Sequence, residues 1–202
     1  MGEAHPVNPG RVAAAIRGES EAVRACWQEH RRWVAAIVLA HKPREVELDD
    51  LLQDIAVTFV KRIGDLRDES AIKPWLRTVA INAARAAGRK TRRRREAATE
   101  ITAGNEVSAG VGDLVDREAG RRLLDLASRL PEGYREPLLL RCVRGMSYRA
   151  IAEIVGLPES TIETRIARGR RMLRELALES VGASGEAGVT AVRGNLKLAG
   201  GS

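Results

Sequence analysis

The sequence predicts an all-α protein built as two small helical domains joined by a flexible linker, and three observations carry that expectation. Only 3% of its 202 residues are aromatic, namely Trp27, Trp33, Phe59, Trp75, Tyr134 and Tyr148, whereas strands are enriched in aromatic and β-branched side chains. Ala, Leu, Arg and Glu dominate instead, and these lose little conformational freedom in a helix. Apolar residues also recur at helical spacing in one segment after another. With 44% hydrophobic and 30% charged residues, the chain has enough apolar material for a core and too much to be wholly disordered.

Residues 1–10 are expected to be disordered, and helical periodicity begins at Arg11–Arg17. Gly18-Glu19-Ser20 interrupts it, and Ser20 is a candidate N-cap for a second helix over Glu21–His41. There Val23, Trp27, Val34, Ile37 and Val38 fall near one face, and Pro43 ends the helix. A third helix should start near Asp49 or Asp50, run through Leu51, Leu52, Ile55, Val57, Phe59, Val60 and Ile63, and end at Gly64, which can take the left-handed conformation. After the polar loop Asp65–Lys73, Pro74 suits the first turn of a fourth helix, where its missing N–H is harmless. Trp75, Leu76, Val79, Ala80 and Ala83 form its buried stripe. The first domain therefore spans 11–95.

From Glu96 to Asp116 the periodicity fails, Gly104, Gly110 and Gly112 interrupt the chain, and there is no Lys or Arg. We read 96–116 as a flexible linker, whose ~20 residues could span roughly 70 Å when extended. Helical pattern resumes in Arg117–Leu130, Arg135–Arg144, Tyr148–Val155 and Ser160–Leu176, a second domain over 117–179. The tail 180–202 is small, polar and expected to be flexible.

Basic residues outnumber acidic ones by 34 to 27, a net charge of +7. Most of the positive side chains are Arg, which pairs bidentately with phosphate, so nucleic acid is the leading partner. Cys26 and Cys142 stand far apart, and His5, His30 and His41 share no ligand spacing, so neither a zinc module nor a disulfide scaffold is expected. Both thiols read as small buried apolar residues. No cofactor, metal or catalytic residue is expected: there is no phosphate-binding loop and no nucleophile–base arrangement. An N-terminus without a signal-like apolar run, and no apolar stretch near the ~20 residues of a membrane span, predict a cytoplasmic chain without membrane insertion.

Three motifs carry the functional reading. With Tyr148 as the first residue of a helix-turn-helix, a small residue falls at Ala152, the turn glycine at Gly156 and a buried branched residue at Ile162. An ordinary helical hairpin does not require that register. Ile151, Val155, Leu157 and Ile162 would form its core. Arg149, Glu159, Ser160, Thr161, Glu163, Thr164, Arg165 and Arg168 would lie on or near the face that enters a major groove. The run Arg85, Arg89, Lys90, Arg92, Arg93, Arg94 and Arg95 surrounds its helix with positive charge and must meet solvent or a polyanion. Asp50, Gln53 and Asp54 share a polar helix face, an acidic ridge on a basic protein that also suits the helix dipole.

In succession these residues resemble the extracytoplasmic-function, or group IV, sigma factors of bacterial RNA polymerase. Arg17–Val23, Asp49–Asp54 and Trp75–Asn82 with its arginine-rich continuation resemble the family's region 2. Leu130–Glu136 and Gly145–Ala152 through Arg174 resemble its region 4. Ile72 and Pro74 depart from the residues common in the family's loop. The resemblance implies a promoter-specificity subunit whose partners are core RNA polymerase, promoter DNA and an anti-sigma factor. It further implies that Asp49, Asp50, Leu51, Gln53 and Asp54 contact the polymerase. Arg67, Asp68, Ser70, Lys73, Trp75, Arg77, Asn82, Arg85, Arg89, Arg92 and Arg93 would engage the minus-ten element, and the helix-turn-helix the minus-thirty-five element. The other readings are a stand-alone helix-turn-helix repressor with a dimerising or ligand-binding bundle, and a basic RNA-binding protein; an enzyme has the least support.

Overall fold

A computed structural model describes residues 9–98 and 114–182. The expected N-terminal disorder at 1–8, the central part of the linker at 99–113 and the tail from 183 lie outside the described residues. Among the described residues every regular element is helical. The N-terminal unit holds α1 (Pro9–Ile16), α2 (Ser20–His41), α3 (Leu48–Arg62) and α4 (Ile72–Ala98). The C-terminal unit holds α5 (Leu114–Ser128), α6 (Glu132–Arg144), α7 (Tyr148–Val155) and α8 (Glu159–Gly182).

Phe59 is fully buried at the centre of the first unit and receives the rings of Trp27 from α2 and Trp75 from α4 at centroid distances of 5.5 and 6.0 Å. Ile37, Ile55, Ile63, Ile72 and Leu76 complete this layer. Three helices thus meet on one ring, the offset and tilted geometry that aromatic pairs favour. In the second unit Leu130, Leu138, Leu139, Leu140, Ile151, Ile154, Ile162 and Ile166 form an aliphatic core.

Several local expectations need correction. Ser20 is the first residue of α2 rather than its cap; Glu19 precedes the helix, and its side chain makes no capping bond. Gly64 is not left-handed: α3 passes into a 3-10 turn, Ile63–Asp65, which keeps Ile63 in the core. Among the described residues of the N-terminal unit the left-handed glycine is Gly18, φ +86°, which lets the chain reverse between α1 and α2. The loop 65–73 contains a second 3-10 turn, Glu69–Ala71, opened by Asp68, whose carboxylate accepts from the Ser70 N–H at 2.9 Å. Glu96–Ala98 extend α4, Leu114–Asp116 open α5, Pro9 and Gly10 belong to α1, and residues 180–182 belong to α8. The domain boundaries drawn at 10, 96, 116 and 180 therefore cut through helices, because exposed helix ends carry no buried periodicity to mark them. Of the two thiols, Cys26 is buried and Cys142 is exposed.

The two units are packed together. Helix α6 lies against α2 as well as against α8, and α7 against α4. Arg135 fastens the junction: its guanidinium donates to the carbonyls of Ala127 in the last turn of α5 and of Leu130 just beyond it, at 3.0 and 3.1 Å, and to that of Ala40 in α2 at 2.8 Å. Those carbonyls belong to helix ends, which lack intrahelical donors, and a forked cation satisfies several together. Arg44 adds a bond to Ser128 Oγ at 2.9 Å.

Candidate nucleic-acid interface

The helix-turn-helix follows the register read from the sequence. The Ser147 hydroxyl caps α7 by accepting from the Ala150 N–H at 3.2 Å, and Gly156 ends the helix at φ +75° with its own N–H donating to the Ala152 carbonyl at 2.8 Å. The chain then turns through Leu157-Pro158, and the Pro158 carbonyl accepts the N–H groups of Thr161 and Ile162 as α8 begins. Ile151, Ile154, Ile162 and Ile166 are buried between the two helices, while Val155 and Leu157 are only half-buried. Ile154, absent from the expected core, takes Val155's place because the helix turns the former inward.

Glu159, Ser160, Glu163, Thr164 and Arg168 are exposed along the start of α8, Thr161 is half-buried, and Arg149 is exposed on α7, 3.6 Å from Glu153. The Thr164 hydroxyl donates to the Ser160 carbonyl at 2.9 Å. Arg165 is turned the other way. Pro137 inside α6 removes the N–H that would bond the Gly133 carbonyl, and Arg165 Nη1 approaches that carbonyl at 3.5 Å. Gly169 also has a packing reason that composition hides: a Cβ there would come within 3.4 Å of the Tyr134 carbonyl oxygen. Its absence lets α8 lie close on α6 and compensates the helix-propensity cost of glycine.

Helix α4 divides the expected minus-ten residues into two sets. Asn82, Arg89, Arg92 and Arg93 are exposed, as are Arg67, Asp68 and Ser70 in the preceding loop. Trp75 is half-buried on Phe59, and Ile72 is a core residue at 2% exposure. Lys73, Arg77 and Arg85 instead meet carboxylates of the C-terminal unit. Lys73 Nζ donates to Glu153 at 2.6 Å, Arg77 holds Glu136 through two bonds of 2.6 and 2.9 Å, and Arg85 reaches Glu132 at 3.4 Å. His41 Nε2 donates to the same Glu136 at 3.0 Å, and its Nδ1 lies 3.7 Å from Glu132. Burial alone would raise the Glu136 carboxyl; the His41 and Arg77 bonds and charges outweigh it and hold it below the ordinary glutamate range. Sequence reasoning missed Glu136, since nothing local marks a carboxylate whose partners lie 59 and 95 residues away.

On α3, Asp49, Asp50, Gln53 and Asp54 are exposed and share the surface with Val57 and Val60, which are 52% and 61% exposed. Leu51 is buried at 5% and serves the core, not the ridge. No group of metal-ligating side chains occurs among the described residues, and none of their helices is long and apolar enough to cross a membrane. Cys26 is enclosed and its thiol is pushed up to about 12 by burial, so it is inert.

The chain matches two family models, Sigma-70 region 2 over residues 26–94 and Sigma-70, region 4 over residues 120–173. It is 33% identical over 128 residues to RNA polymerase sigma factor CarQ of Myxococcus xanthus, covering 63% of this chain and 73% of that protein. To the ECF RNA polymerase sigma-E factor of Haemophilus influenzae it is 28% identical over 172 residues, 80% and 90% of the two chains. Among solved structures, that of CnrH in complex with the cytosolic domain of CnrY matches in fold, with TM-score 0.59 at 24% identity over 89% of this chain and all of that one. The helix-turn-helix, the arginine-rich α4 and the order of the two matched regions thus have one common explanation: this chain belongs to the extracytoplasmic-function sigma factors of bacterial RNA polymerase.

Proposed function

We propose that this sigma factor divides promoter recognition between its two units and binds the polymerase through α3. The exposed start of α8, with Ser160, Thr164 and Arg168 foremost, reads the minus-thirty-five element in a major groove, and Arg149 and Glu163 flank that contact. The outer face of α4 and the loop before it, from Arg67 to Arg93, hold the melted minus-ten strand, with arginines on phosphates and Trp75 at the edge of a base site. Neither surface needs high affinity alone, because one tether raises the effective concentration of the second once the first has bound. The catalytic chemistry of transcription belongs to the polymerase. An anti-sigma factor is a further partner on family grounds.

The observation that carries the polymerase assignment is the α3 surface. Asp50, Gln53 and Asp54 share one face beside the exposed Val57 and Val60, so a polar, acidic rim borders an apolar strip, an arrangement common at protein interfaces. Asp50→Arg combined with Asp54→Arg alters only exposed side chains. It should abolish association with core polymerase in a pull-down and run-off transcription on genomic fragments, while helicity and melting temperature stay unchanged. Undiminished association would remove α3 from the interface. A stand-alone repressor would instead bind a palindrome as a dimer without polymerase.

A further inference from the structure

Among the described residues, the carboxylates of α7 and α8 fall into two groups. Glu153 on α7 meets Lys73 and Arg149, and on α8 Glu175 and Glu179 meet Arg171 and Arg129. Glu159 and Glu163 are exposed at the start of α8 and enter no ion pair there. For Glu159 the fold supplies a reason, since it lies in the first turn, where the helix dipole favours negative charge. Glu163 stands one turn further on, where that benefit has faded. Its neighbours three and four residues away are Ser160, Ile166, Glu159 and Ala167. The helix therefore gives it no cation and sets a like charge four residues before it, which is destabilising. Arg165 is turned to the Gly133 carbonyl at 3.5 Å. Glu163 thus costs the helix a little and pairs with nothing inside the chain, while it borders Ser160 and Ala167 on the exposed surface of α8.

Beside a polyanion an unpaired carboxylate is repelled unless a donor meets it. A carboxylate only accepts hydrogen bonds, and the base edges in the major groove differ in what they offer it. Guanine presents two acceptors, thymine an acceptor beside a methyl group, and adenine a donor flanked by an acceptor, whereas cytosine presents its amino donor. We propose that Glu163 is a specificity-determining residue of the minus-thirty-five contact and selects a cytosine by accepting a hydrogen bond from its amino group. The same charge rejects guanine and thymine at that position, because two acceptors are then brought together. This inference rests on the reading of α8 as the helix that enters the major groove.

The test uses the full chain assembled with core polymerase, on a promoter found by run-off transcription of genomic fragments and then randomised in its minus-thirty-five element. Sequencing of the bound DNA gives the base preference at each position. The natural chain is compared with Glu163→Gln, Glu163→Ala and a control, Glu179→Gln, which removes the same charge at the far end of α8. The natural chain should prefer cytosine about tenfold at one position, within the usual cost of one mismatched base pair. Glu163→Gln should move that position to adenine, whose N6 and N7 match a glutamine amide. Glu163→Ala should level it, with the other positions and the control unchanged. A cytosine preference that survives Glu163→Ala, that the control loses equally, or that the natural chain lacks overturns the inference and leaves α8 as the reading helix. So does a gain in affinity in Glu163→Ala that is equal for every sequence, since the carboxylate would then only repel phosphate. A natural holoenzyme indifferent to the whole element overturns the reading of α8, and the inference with it. Both substitutions at Glu163 alter an exposed, unpaired side chain, so the fold is retained.

Discussion

The N-terminal unit is closed around rings and the C-terminal unit around aliphatic side chains alone, and the two reach definite structures by different means. In the first, Phe59 collects Trp27 and Trp75, so three helices are located by contacts with one large side chain. In the second, the buried apolar residues are Leu, Ile and Ala, and position is set by local devices: the Ser147 cap, the left-handed Gly156 and the Arg135 fork on the carbonyls of Ala127 and Leu130. A large ring gives several helices one shared contact surface, whereas an aliphatic core leaves more of their placement to caps, turns and hydrogen bonds.

That contrast can be broken in both units. Phe59→Ala should cost the N-terminal unit about 3–5 kcal/mol, the usual range for emptying a buried phenylalanine site, read by urea unfolding. A loss no greater than that of an exposed substitution would show that the rings do not locate the helices. Gly156→Ala forces a side chain into the left-handed region and should cost about 1–3 kcal/mol, lowering the melting temperature of the C-terminal unit. Ser147→Ala removes only the cap and should cost about 1 kcal/mol in the same melt; if it matched Gly156→Ala, capping rather than the turn would set the angle between α7 and α8.

A smaller effect sharpens the comparison at the seam. The Glu136 carboxyl is held below its ordinary range, so its contribution to stability is full above the unfolded glutamate value of about 4.3 and is lost as pH falls through the lower folded value. The difference in melting temperature between the natural chain and Glu136→Gln should therefore shrink as pH falls below that point. A difference that grew with acidity would mean that the carboxyl is destabilised in the folded chain.

The periodicities of α2, α3 and α4 were legible in the sequence because one face of each is buried in a contiguous core, and Tyr148–Val155 was legible to the residue because Ser147 and Gly156 mark its ends in the chain itself. The helix ends at Ala98 and Leu114 were not, since exposed turns leave no apolar pattern. Gly64 was misread for a related reason: glycine permits a left-handed residue but does not require one, and burial of Ile63 favoured another turn.

By itself the sequence determined the helical class, the two regions, the helix-turn-helix register and the acidic ridge of α3, all of which depend on residues at most a few turns apart. Tertiary structure alone decided which charges are spoken for. Arg77 and Arg165 look like their neighbours in the chain, yet one is held by Glu136 and the other faces the carbonyl that Pro137 left open. A cation's partner depends on which helices pack side by side, and the apolar faces that bring them together carry no mark of the charges that will meet across the seam.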